Sequence, residues 1–141
     1  MATLKEHTKQ AVGRKRQALR EAQEALRLVE LLPEELQALD GEADTGYTGA
    51  LMKIDFYQFQ NKDIDLLRTL KILGVQGLTT KMSSPDNWYA DGEIALLNEK
   101  DIVRICIYGL PKPPNCQIEE YQELVTKFRA ICKQTGEEIG G

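Results

Sequence analysis

The chain has 141 residues, is 42% apolar and 28% charged, and carries a net charge of −4. That sign does not draw the whole molecule toward nucleic acid or an anionic membrane, and no apolar run approaches the ~18 residues of a membrane span. Three cysteines with no closely spaced pair argue against a disulfide framework, so reduced thiols and a cytoplasmic setting are the expectation.

The first segment, residues 1–32, reads as one long helix. Val12, Leu19 and Leu26 recur every seven residues, and Ala22 and Val29 follow three positions behind, which makes a narrow apolar seam. Thr3 with Glu6 forms a capping-box signature, and Pro33 ends the pattern. At ~1.5 Å per residue such a helix reaches roughly 42 Å. A domain made from the remaining residues would be only about 33 Å across. The helix therefore outruns the body it could lie on, and a second copy of itself is the simplest partner for the seam.

Charge sharpens that expectation. Residues 1–20 hold six cations against one carboxylate, a balance of +5, while residues 21–48 hold eight carboxylates against Arg27, a balance of −7. This polarity opposes the helix macrodipole. An antiparallel pair would set basic halves against acidic halves. The expected partner is thus a second copy, in a homo-oligomer of antiparallel coiled-coil type.

Residues 33–49 have the acidic, glycine-rich composition of a linker. The body, 50–141, then alternates. Residues 50–59 read as a strand, with Met52, Ile54 and Phe56 on one face. Asn61 reads as the cap of a helix ending at Gly74. Residues 75–83, 88–97 and 102–108 read as three further strands, joined by a Ser84-Pro85-Asp86-Asn87 turn and a polar turn at 98–101. Residues 117–134 match a helical face through Ile118, Tyr121, Leu124, Val125, Phe128, Ile131 and Cys132, with Gly136 as the stop. A strand alternative stands for 125–132 because of its β-branched and aromatic content. The tail after Gly136 reads as frayed. The expected architecture is α+β: a long N-terminal helix followed by a β-α-β-β-β-α antiparallel-sheet domain.

Chemistry is sparse. The only histidine, His7, lies on the long helix, far in sequence from every cysteine. Cys106, Cys116 and Cys132 lack the spacing of a zinc site. No glycine-rich phosphate loop precedes a helix. No metal, cofactor or catalytic residue is therefore expected, and the acidic group Asp86, Asp91 and Glu93 is the weak exception. Pro111 and Pro114 read as a rigid connector.

Two surfaces remain. The turn carrying Asp86, Asn87, Trp88 and Tyr89 places the only tryptophan in a polar setting, and such residues dominate protein-binding hot spots. The competing reading folds Trp88 under the hairpin as core. The sheet face opposite the core would show Lys53, Tyr57, Arg104 and Tyr108, a set able to stack on and pair with a nucleotide or metabolite. The expected function is a non-enzymatic, homo-oligomeric interaction protein that binds a macromolecular partner. Accessory and inhibitor proteins of mobile elements share that profile. The alternative is a small-ligand module that holds a nucleotide or metabolite on the sheet face or between subunits.

Overall fold

In the computed structural model, which describes residues 1–46, 49–122, 126–133 and 138–140, the N-terminal helix α1 runs Leu4–Val29 over 26 residues. Thr3 caps it, with both halves of the capping box closed: its hydroxyl accepts from the Glu6 amide at 3.2 Å, and its own amide donates to Glu6 Oε2 at 3.3 Å. At ~1.5 Å per residue α1 is about 39 Å long. Only its last turns meet the body, where Ala25 and Leu28 are buried. Leu32 and Leu36, the latter on the short helix α2 (Glu34–Gln37), continue into the same core.

The residues read as a linker are partly built into the sheet. β1 (Gly41–Asp44) pairs antiparallel with β2 (Met52–Tyr57). A side chain at Gly41 would place its Cβ 2.6 Å from the Phe56 ring and 2.9 Å from the Asp55 carbonyl oxygen. This glycine is there for close approach, and its presence mimics a flexible connection. Tyr47 and Thr48 lie outside the described residues.

The remaining strands are β3 (Gln76–Ser84), β4 (Asn87–Ala95) and β5 (Ile102–Leu110), and the sheet order is β1-β2-β5-β4-β3. All of its pairings are antiparallel except β2 with β5, which is parallel. The sheet is therefore mixed and mostly antiparallel, which corrects the purely antiparallel expectation. Alternation along β2 is strict: Met52, Ile54 and Phe56 are buried, and Lys53, Asp55 and Tyr57 are half-buried. Val103, Ile105 and Ile107 of β5 join them in the core.

Between β2 and β3 lies α3 (Leu66–Ile72), shorter than expected and capped by Asp65, whose carboxylate accepts from the Arg68 amide. Asn61 is not the cap. Its side chain instead ties the linker to the sheet, donating to the carbonyls of Asp40 and Tyr57 and accepting from the Asp40 amide. Leu66 and Leu70 pack α3 onto the core face of the sheet.

The last segment is where expectation and structure part. It forms β6 (Cys116–Gln122), β7 (Thr126–Cys132) and β8 (Glu138–Gly140), a three-stranded antiparallel sheet, in place of a helix. Cys116, Ala130 and Cys132 are buried, and Ile118 and Phe128 pack partly against them. Those positions follow a period of two, which puts Phe128, Ala130 and Cys132 on one face; on a helix Ala130 would lie about 200° from both of the others. Cys116 faces Cys132 in the strand register and is disulfide-bonded to it. The expectation of three reduced thiols is corrected accordingly, and Cys106 is the one unbonded cysteine, buried. The tail, expected to fray, supplies β8, whose Ile139 is buried. Leu124, Val125 and Gly136 lie outside the described residues. This second sheet lies against β3 through β7 and β8.

Candidate functional site

Three places emerge from the geometry. The first is the flank of α1. The stripe that docks on the body is Ala25, Leu28 and Leu32. Leu26 is about 100° further round the helix from Ala25, so the seam points sideways from the body. Val12, Leu19 and Leu26 are 43%, 58% and 59% exposed, and Ala22 is exposed with them. Val29 alone is shared, packing partly against the core. Leu26 matters most, because it stays open on a turn whose neighbour Ala25 is buried. The seam residues are thus brought into one line and left uncovered by their own body.

The polar side chains of this arm help each other only locally. Arg27 pairs with Glu24 at 2.6 Å, which holds the Glu24 carboxyl below its usual range. Gln17 bridges Arg20 and Glu21. Among the described residues, Lys5, Lys9, Arg14, Lys15, Arg16 and Arg20 form no ion pair.

The second place is the β3–β4 hairpin. Trp88 is 3% exposed and its indole N–H donates to the Pro85 carbonyl at 3.1 Å. The ring is core. The bulge opposite it explains why: Trp88 is level with Leu110 and Tyr89 with Tyr108, so Gly109 is the extra residue. Its φ of 72° is open to glycine at no steric cost. The hairpin therefore presents Asp86 and Asn87, exposed, and Tyr89, half-buried.

The third place is the sheet face away from the core. Register puts Tyr57, Tyr108 and Tyr89 in one row across β2, β5 and β4, with Lys81 of β3 at its end. Tyr57 and Tyr108 stack at 5.5 Å, Tyr89 and Tyr108 at 6.4 Å, and the exposed Phe59 extends the band beyond Tyr57. The next row holds Asp55, Cys106 and Asp91, and the one after it Lys53, Arg104 and Glu93. Lys53 runs along the face to donate to the Tyr108 hydroxyl at 3.3 Å and sits 3.4 Å from Asp55. Asp91 takes Lys81 at 3.0 Å and Arg104 at 3.8 Å. Burial works against the Lys53 ammonium, but Tyr108 and Asp55 outweigh it, and its pKa stands above the ordinary lysine value. Burial pushes the Cys106 thiol and the Tyr108 phenol up, with Lys53 opposing both.

The four residues of the alternative ligand set, Lys53, Tyr57, Arg104 and Tyr108, therefore do share one face. Tyr89, assigned from sequence to the hairpin, joins them. The two surfaces meet in an open hollow of about 450 Å³ formed by Ser83, Asn87, Trp88, Tyr89, Tyr108 and Gly109. Lys81 and Asp91 belong to the same face and were missed. The period of two was the signal that could have found them: in β4 it aligns Tyr89, Asp91 and Glu93, and in β3 it sets Lys81 on the face away from the buried Met82.

The acidic group does not converge. Asp86 is in the hairpin turn, while Asp91 is engaged by two cations. Among the described residues no group of three or more His, Cys, Asp or Glu is placed to hold a metal ion. Among them, too, no helix is long and apolar enough to cross a membrane. The chain matches no protein family, no curated protein and no solved structure.

Proposed function

We propose that this chain is a non-catalytic interaction protein that self-associates through α1 in the antiparallel sense and presents its body to a macromolecular partner. The observation that carries the reading is the division of α1 and the turn that follows it into two apolar stripes. One stripe, Ala25, Leu28 and Leu32, is covered by the body; the other, Val12, Leu19, Ala22 and Leu26, is not. Exposed apolar residues aligned on one stripe of a projecting helix mark an association surface. The opposite charges of the two halves favour the antiparallel sense. Sedimentation equilibrium at micromolar concentration tests it: the chain is a dimer or higher oligomer, and Leu19→Lys shifts it to monomer with the body's unfolding transition unchanged. A wild-type monomer at that concentration sinks the reading. At the hairpin, Asn87→Ala and Tyr89→Ala remove partner capture and leave stability alone; unchanged capture removes the hairpin from the proposal.

The tyrosine row favours a second reading, in which the sheet face holds a nucleotide or metabolite. Three stacked tyrosines offer π-faces, and Lys53, Lys81 and Arg104 offer charge. A thermal-shift series with nucleotides decides it, because a ligand at 100 times its Kd adds about 2.7 kcal/mol. Flat melting curves across the series count against it.

A further inference from the structure

The self-association proposed above leaves the register open, and α1 carries enough information to define it. In the heptad frame the seam consists of Val12, Leu19 and Leu26 with Lys15, Ala22 and Val29. One flank is Ala11, Ala18, Ala25 and Leu32, small or apolar, and its last two members are buried on the body. The other flank is Lys9, Arg16, Gln23 and Glu30, all exposed, which runs from positive to neutral to negative. None of these four has an ion-pair partner among the described residues.

From this we infer that two copies pair antiparallel in a single register, with Leu19 of one protomer at the Leu19–Ala22 turn of the other and Lys9 of each reaching Glu30 of the other. This rests on self-association through α1. In an antiparallel pair like flanks face one another, so Lys9 and Arg16 of one helix lie opposite Glu30 and Gln23 of the other. Val12 then packs level with Leu26 and Val29. In a parallel pair unlike flanks meet, the charged column faces alanines, and Lys15 meets Lys15 inside the seam. Sliding the antiparallel pair by one heptad is also excluded. One direction sets Arg16 against Arg16, and the other carries Val12 beyond the end of the partner's helix at Val29. The occupant of the exposed face is therefore a second copy, chosen by charge complementarity along one flank.

A mixing experiment reads the register directly. Lys9→Glu and Glu30→Lys are made separately; both sites are exposed, and the body's unfolding transition controls for folding. Each variant alone places two like-charge pairs in its homodimer and weakens association roughly tenfold. Mixed in equal amounts, the two variants form a heterodimer in which both pairs are again Glu with Lys, and affinity returns to the wild-type value. Self-association that is unaffected by either substitution, or that fails to recover on mixing, overturns this register and leaves the α1 seam standing. A wild-type chain that stays monomeric overturns the seam itself.

Discussion

The arm of α1 and the sheet body are built on opposite principles. In the body, burial orders the centre: Met52, Ile105, Ile107, Leu66 and Leu70 are fully enclosed, and β2, β4 and β5 each show one face to that core. In the arm, from Leu4 to Glu24, no residue is buried. Its helix rests on propensity, a closed capping box and a few side-chain bridges one turn apart. Most helical stability in proteins comes from packing an apolar face, which the body does not provide along this arm, and the arm carries its charges against the macrodipole. A segment so weakly supported by the body yet patterned so regularly is what motivates the proposed self-association.

Substitutions should separate the two regimes. Ile105→Ala opens a cavity in the body and costs about 2–5 kcal/mol, measured by urea unfolding. Leu19→Ala at the middle of the arm should leave the same curve unchanged at low protein concentration. If both substitutions move the curve alike, the arm is not independent of the body. Removing the disulfide by Cys116→Ser with Cys132→Ser comes next. The bridge closes a separation of 16 residues, worth about 3 kcal/mol by loop entropy. Hydrogen exchange should accelerate in β6 to β8 while β2 and β5 stay protected; uniform acceleration would merge the two sheets into one cooperative unit.

Smaller is the cap. Thr3→Ala costs about 1 kcal/mol of helix stability, visible as faster amide exchange near Leu4–Thr8 with no change in the body. The smallest effect is alkaline. The folded Cys106 thiol has a pKa raised by burial, so its contribution to stability is complete below the unfolded thiol's pKa, about 8.5. That contribution is lost as pH rises from there through the folded value. Cys106→Ala should flatten the fall in stability above about pH 8.5, and alkylation of the native thiol at pH 8 should be slow compared with the unfolded chain.

What could be read from residues alone follows the range of the interaction. Thr3, Glu6 and Pro33 mark the ends of α1 because capping and helix termination are local. Met52–Phe56 and Val103–Ile107 declare strands because alternation is local too. The β2–β5 pairing is not: nothing near either strand says that they are parallel neighbours. β1 was hidden because its order comes from β2 and from the contact of Gly41 with Phe56. Residues 117–134 offer a helical face through Ile118, Tyr121, Phe128 and Ile131, and the strand pairing that sets Cys116 opposite Cys132 selects the period of two instead. At the candidate sites, the exposed apolar line of α1 was legible as a heptad, and the shared sheet face of Lys53, Tyr57, Arg104 and Tyr108 as an alternation. Trp88 was ambiguous because its burial depends on the bulge at Gly109, one strand away.

The junction of α1 with the body has a mechanical consequence. Ala25, Leu28 and Leu32 key the helix end into the core, and Thr45 adds a tether by donating to the Glu21 carbonyl at 3.3 Å. The arm is thereby clamped over its last turns, so it cannot swivel about a loose hinge. Whatever grips it at Val12 is held about 24 Å along the axis from Leu28, at one bearing relative to the sheet. A helix clamped in this way sets both reach and bearing: removing a whole turn would shorten the reach by about 5.4 Å and keep the heading, whereas removing two residues would turn the heading by about 200°.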